Sequence, residues 1–389
     1  MIMGAVMTAE DQLCLLLARG QIEPDVHQRI LKFLASPLRW PLLLERAYDH
    51  QVYPLVYRNL RQLGFPAVPD TVQTSLKGAY LANALRNQLL AEELARLLHL
   101  LSDAGIPAIP LKGVALAESL YGDPAARVCA DIDLLIRPTN LNQTLDLMLT
   151  SGYRDDFRDR FFSKLTLRHG RHYDLVRDKR DISFCLELHW QLVQHSSRND
   201  EATTDLWAEA RPKTFFGASA LSLSTEWEFL YLSIHAADHN WQSLKWLADI
   251  HQVATSTPVD WPRITQKAER LELDLVIGQT LNASSLLLGT PLPLGWSPNS
   301  RVFPNVPFPA GGPAPAFSHL RVLRQPLDKL RCVANVVLVP KPADRNFLRL
   351  PTPVGSLYYV VRPLRLVGKR LLRLAARVLQ DRPVNVGKQ

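Results

Sequence analysis

"IPLKGVALAESLYGDPAARVCADIDLLIR", residues 109–137, is the stretch on which the reading of this chain turns. It opens on a short apolar run bracketed by Pro and Gly, which predicts a buried strand. "VALAESLYG" returns to helical spacing and closes at Gly122-Asp123-Pro124, a turn signal. "CADIDLLIR" predicts a second strand, and "TNLNQTLDLMLTSGY" a helix capped by Thr139 or Asn140 and ended at Gly152. "RHYDLVR" and "FCLELHWQLV" read as further strands. The window from 106 to 194 is therefore expected to run β-α-β-α-β-β-β, a small mixed α/β core.

Helical patterns flank it. Residues 9–104 read as helices, most clearly "ANALRNQLLAEELARLLHLLSDAG", where Leu and Ala recur at helical spacing up to the stop at Gly105. "TEWEFLYLSIHAADHNWQSLKWLADIHQVA" and "DWPRITQKAERLELDLVIGQTLNASSLLLG" are helical again. Residues 291–317 hold eight prolines in 27 positions and read as an irregular connector. The fold class expected is α+β, with a divided chain: helical region 1–105, α/β core 106–195, helical region 196–290, Pro-rich connector and irregular segment 291–350, and a basic amphipathic segment 351–389. No internal repeat is present.

Composition narrows the function classes. With 389 residues, 47% hydrophobic and 21% charged, the chain is expected to fold into more than one unit and not to be disordered. No apolar run reaches bilayer length; the best, Val333–Pro340, is far too short. "MIMGAVMTAEDQ" lacks the basic start of a secretory signal. Cys14, Cys129, Cys185 and Cys332 form no C-x-x-C pair and read as reduced thiols of a cytoplasmic protein. The net charge of +8 is unevenly placed: residues 341–389 carry eleven Lys/Arg against two Asp, so residues 1–340 sum to −1. A neutral body argues against a nucleic-acid partner.

Alternate strand residues share a face, so Asp131 and Asp133 point the same way, roughly 6–7 Å apart. In "LELHW", Glu187 and His189 share one face and Leu186 and Leu188 the other. A neighbouring strand would bring Glu187 beside the aspartates. Three such carboxylates are what a two-metal phosphoryl-transfer site needs, with Mg²⁺ or Mn²⁺ taking carboxylate and phosphate oxygens. The plainer alternatives are an exposed strand end for the aspartates and a structural carboxylate for Glu187. Lys112-Gly113 sits where a strand enters a helix: Gly lets backbone approach a phosphate, the helix N-terminus offers N–H groups, and Lys112 offers charge. The G-x-x-x-x-G-K-[ST] spacing of a Walker loop is absent. Arg127 has two readings, a phosphate contact or a salt bridge.

With these residues in place, the chain resembles the uncharacterised nucleotidyltransferases of the polymerase-β-like superfamily, in the branch marked LKG, R, DIDLL and ELHW. The resemblance covers Leu111-Lys112-Gly113, Tyr121, Arg127, "DIDLLI" at 131–136 and "LELHW" at 186–190, and extends to "HAADHNWQSLKWLADIHQV" at 235–253 and "LYYVVRPLRL" at 357–366. It implies a polymerase-β-like core of small mixed sheet with helices. Asp131 and Asp133 become metal ligands, Glu187 the third carboxylate and a base for the acceptor, and Gly113 a lining of the triphosphate site. Lys112-Gly113-Val114 stands where the superfamily has Gly-Ser or Gly-Gly, and the stretch from Gly113 to Asp131 is longer than its norm. The implied reaction is attack by an acceptor on the α-phosphate of an NTP, the acceptor being a small molecule, peptide or protein.

His235 and His239 lie four residues apart and share a helix face, with Asp249 further on. Packing, contact with substrate at the cleft edge, and metal ligation are all open for the two histidines, and His189 and Asp249 are further candidates for the cleft edge. His169 and His172 are similar unknowns. In "RLVGKRLLRLAARVLQ", leucines alternate with Arg and Lys; such a helix docks on its own protein, lies peripherally on an anionic membrane, or meets an acidic partner. Two other functions fit the Asp pair: a metal-dependent glycosyltransferase using a sugar nucleotide, and a catalytically inactive binding module of the same fold. A D-x-D-x-T phosphatase fits poorly, since Leu135 holds the Thr position.

Overall fold

A computed structural model describes residues 7–155, 160–179, 182–192, 198–294 and 323–380, without the side chains at 160, 342, 352 and 370–380. Five helices come first: α1 (Ala9–Leu17), α2 (Pro24–Leu34), α3 (Trp40–Asp49), α4 (Tyr53–Gln62) and the 34-residue α5 (Asp70–Asp103). The core follows as β1 (Ala108–Pro110), α6 (Gly113–Tyr121), β2 (Ile132–Ile136), α7 (Leu141–Thr150), β3 (Arg154–Asp155), α8 (Arg160–His169), β4 (His172–Lys179) and β5 (Ile182–His189). Then come α9 (Asn199–Glu209), the hairpin β6 (Arg211–Phe215) and β7 (Ala218–Ser222), and four helices: α10 (Thr225–Asp238), α11 (Leu244–Ser256), α12 (Trp261–Arg270) and α13 (Asp274–Leu288). Last are α14 (Pro326–Leu338), α15 (Pro342–Phe347) and α16 (Tyr358–Gln380).

The protein is α+β: a small mixed sheet with helical regions on both sides of it in the chain. The five strands run in the order β1-β2-β5-β4-β3, with β2 and β5 parallel and the other neighbours antiparallel. The third strand is only Arg154–Asp155, and α8 intervenes before β4, so the order is β-α-β-α-β-α-β-β and not the expected β-α-β-α-β-β-β. α8 lies beside β4, but its buried side, Phe162 and Leu165, packs with Tyr358 of α16 in a small cluster apart from the sheet's own core. Its apolar residues therefore carry no mark of the core beside them. Neither Thr139 nor Asn140 caps α7 through its side chain; a 3-10 turn, Pro138–Asn140, leads into the helix instead. Residues 326–347, expected irregular, hold α14 and α15, each begun by a proline at its first turn. Most of the Pro-rich connector lies outside the described residues.

Two cores hold the body. Leu134, Leu186 and Leu188 of the sheet pack with Leu94, Leu97 and Leu98 of α5, all nearly or wholly excluded from water. The other core joins the helices before the sheet to those after it: Leu13 and Leu17 of α1 cluster with Trp227 and Phe229 of α10 and Leu281 of α13. Helical regions far apart in sequence are thus one packed body, each buried Leu contributing about 1.5–3 kcal/mol.

Candidate active site

The parallel pairing of β2 with β5 sets Asp133 opposite Glu187 and Leu135 opposite His189. Across β5, β4 sets Asp174 opposite Glu187 and His172 opposite His189. Because the period is two, Asp133, Glu187, His189, Asp174 and His172 share a face, while Leu134, Leu186 and Leu188 enter the core. Asp131 precedes β2 and reaches the same place. Ligand atoms of Asp131, Asp133 and Glu187 all lie within 4.8 Å of one another, and those of His172, Glu187 and His189 do so as well.

Lys112 comes in from the turn between β1 and α6. The backbone N–H of Leu111 donates to the Asp133 carbonyl at 3.1 Å, which holds the turn against β2. Gly113 takes a φ of +67°, and a Cβ there would sit 3.3 Å from the Asp131 carbonyl oxygen; the position requires glycine both for its backbone and for its closeness to the acid loop. Lys112 Nζ then lies 2.8 Å from Asp133 Oδ2 and 3.3 Å from Asp131 Oδ2. Burial alone would lower the Lys112 pKa, but Asp133 and Asp131 hold it above the ordinary lysine value. His189 Nε2 donates to Asp133 Oδ1 at 3.1 Å and to Glu187 Oε2 at 3.2 Å. Burial opposes charge on that imidazole; the two carboxylates outweigh it and raise its pKa. Glu187 in turn is desolvated, yet its bond to His189 and the nearby Lys112 charge hold it below the usual carboxylate range. The oxygen-rich donor set fits a divalent cation, and Lys112 and His189 set positive charge against the same acids.

The loop that leads into Asp131 is fastened from behind by α5. Asn83 donates to the carbonyls of Ala125 and Arg127 at 2.9 and 3.1 Å, and Asn87 to those of Pro124 and Arg127 at 2.6 and 2.7 Å. Arg86 donates to Cys129 and Ala130 carbonyls at 3.1 and 2.9 Å. Asn83, Arg86 and Asn87 fall at i, i+3 and i+4, one helix face. The reading of "ANALRNQLL" by its leucines passed over these three. The one signal available was the four-residue spacing of the two amides, which puts them on a shared face; both are buried and so demand partners, whereas Arg86 is exposed.

A cavity of about 360 Å³ opens over the carboxylates, lined from the core by Lys112, Arg127, Asp131, Glu187 and His189, and from α10 and α11 by Tyr231, His235, His239, Lys245 and Trp246. Arg127 reaches it, but its Nε donates to Asp249 Oδ2 at 2.9 Å; Asp249 is wholly buried and also accepts from Tyr121 Oη at 2.9 Å. So Asp249 stands behind the cleft and not at its edge. His239 stacks on Trp246 with ring centroids 4.6 Å apart, and His235 meets the same indole edge-on at 5.5 Å. Among the described residues neither histidine joins a group of three close ligand atoms. Lys245 was not singled out from sequence. Its ammonium donates to the Gln51 side chain and to the Val128 carbonyl, and burial pulls its pKa down to about 8. Nothing in "SLKWL" signals this, because both partners come from distant segments.

A family model described as uncharacterised nucleotidyltransferase matches residues 36–289, about two thirds of the chain. No curated protein matches. Among solved structures, an antigenic nucleotidyltransferase-like protein from Paracoccidioides brasiliensis is similar at 19% identity, over 58% of this chain and 97% of that one, with a TM-score of 0.33. The match takes in α3 to α13, and with them the Lys-Gly turn, the Asp pair and Glu187; the chain belongs to the uncharacterised nucleotidyltransferase family.

Proposed function

We propose that the chain transfers a nucleoside monophosphate from an NTP to a nucleophilic acceptor, with Asp131, Asp133 and Glu187 holding Mg²⁺ or Mn²⁺. The observation that carries this reading is the convergence within 4.8 Å of three carboxylates, two from the parallel strands β2 and β5 and one from the residue just before β2, at the floor of a cleft lined by Lys112 and Lys245. A divalent ion bound there neutralises phosphate charge and polarises the α-phosphorus. Lys112 and the N-terminus of α6 at Gly113 meet the triphosphate, and the Tyr231–Trp246 wall bounds the base and sugar. In the step itself an acceptor oxygen forms a bond to the α-phosphorus, the bond from that phosphorus to the β-phosphate oxygen breaks, and pyrophosphate leaves with the electron pair. Glu187 takes the acceptor proton. The rate gain comes from positioning and fixed charge. Nucleotidyl transfer is favoured over sugar transfer because a single three-residue strand precedes Asp131 among the described residues, where a sugar-nucleotide fold places several parallel strands.

The test is incubation with each α-labelled NTP and Mg²⁺ or Mn²⁺, reading nucleotide binding and pyrophosphate release, beside Asp131→Asn/Asp133→Asn. Metal-dependent binding and release by the parent chain, lost in the variant, is the expected result. Metal-dependent binding that survives the double substitution unchanged would refute the assigned site.

A further inference from the structure

Eleven of the nineteen exposed large hydrophobic residues described in the protein lie between 327 and 367, outside the span of the family match. Scattered exposed aliphatics need no explanation, whereas such crowding does. The most ordered part of it is on α16 and the turn before it. Leu357, Val360, Leu364 and Val367 are 51, 58, 67 and 58% exposed, at spacings of three, four and three residues, which is one face of a helix. The opposite face is already used. Tyr358 is buried against Phe161 and Phe162, Arg362 donates to the Val336 carbonyl and to Asp344, and Arg365 donates to Asp344. Gly355 lies where a Cβ would come within 2.8 Å of the Phe161 ring, so the approach to α16 is pressed onto α8. The helix is therefore seated on the protein by one side and presents an aliphatic stripe on the other.

Charge says what meets the stripe. Residues 341–389 carry a net +9. A second copy laid on the same stripe would bring another +9 against it, an arrangement that repels. A surface that is apolar below and anionic above accepts both features at once: aliphatic side chains enter the acyl boundary, and the net positive charge of the segment favours lipid phosphates. No helix among the described residues is long and apolar enough to cross a bilayer, and α16, about 34 Å long, suits the plane of the interface. We propose that the Leu357–Val367 stripe of α16 docks the protein on an anionic lipid surface, lying in the interface. This is independent of the chemistry in the cleft.

The experiment uses the full chain with vesicles of phosphatidylcholine alone or with about 30% phosphatidylglycerol, at low and at 0.5 M salt. Co-sedimentation with the anionic vesicles is expected, falling with salt and falling at least about tenfold in Val360→Asp/Leu364→Asp, which is about 1.4 kcal/mol. Circular dichroism checks that the variant keeps its helices. Should it not, Leu364→Trp replaces it: indole emission shifting to the blue on anionic vesicles supports the docking, and emission unmoved by them overturns it. No retention on anionic vesicles overturns it too, as does retention equal in parent and folded variant. A concentration-dependent dimer abolished by the double substitution would assign the stripe to a second copy instead and refute the lipid reading.

Discussion

Lys112 holds the position from which a metal ion would address both aspartates, 2.8 Å from Asp133 and 3.3 Å from Asp131. For the proposed metal site its ammonium is thus a competitor. Lys112→Met is expected to bind Mn²⁺ about tenfold more tightly without nucleotide, while its affinity for a non-hydrolysable triphosphate falls. Mn²⁺ electron paramagnetic resonance reads the first change and calorimetry the second; weaker Mn²⁺ binding in the variant would contradict the competition. Lys245 gives a pH signature. Buried to a pKa of about 8, it is cationic in the cleft at neutral pH and loses that charge as pH rises through 8. Triphosphate affinity should therefore drop about tenfold, or about 1.4 kcal/mol, between pH 7 and 9 in the parent, and stay flat in Lys245→Met. For stability the sign is opposite: between about 8 and the ordinary 10.5 the unfolded chain holds the extra proton, so this group makes the fold more stable as pH rises. Asp133, and Glu187 with His189, could each be given a strand face from sequence because strand alternation is local, whereas Asp131 lies just before β2. Lys245 could not, since its environment is built by residues 51 and 128.

At the scale of elements, α5 does two jobs with two faces. Its leucines support the sheet and its amides hold the loop before Asp131. Asn87→Leu keeps the shape and deletes two short bonds to the Pro124 and Arg127 carbonyls; Asn83 still donates to Arg127, so the Pro124 carbonyl loses its amide partner. Urea unfolding should show a loss of about 1–3 kcal/mol, and Mn²⁺ affinity should fall with it as the loop loosens. Stability equal to the parent would mean the loop is held by other contacts. The strand-helix-strand rhythm around "IPLKG" and "DIDLL" was legible because apolar runs, Gly and Pro punctuate it. The pairing of Asp133 with Glu187 across β2 and β5 was legible only as a requirement of the chemistry, since nothing in either strand states which neighbour it takes. The helix α8 went unread because its buried side is short, Phe162 and Leu165, and packs with Tyr358 instead of the main core.

Across the whole molecule, the helices before and after the sheet form one core, and that union is invisible in either segment alone. Each shows only a generic amphipathic face, and packing between residues more than two hundred positions apart leaves no periodic trace. The seam is closed near the cleft by Arg127 on the core side and Asp249 on α11, both nearly or fully excluded from water. Removing one partner strands the other: Arg127→Met is expected to cost about 3–5 kcal/mol, and Arg127→Met/Asp249→Leu to recover most of it. Calorimetric melting of the two variants checks this, and a double variant no more stable than the single one would show that the pair acts through more than its own charges. That same latch constrains how a substrate arrives. Parting the two walls would pull a buried cation from its buried anion, so the latch rivets the approach to Asp131 onto α11.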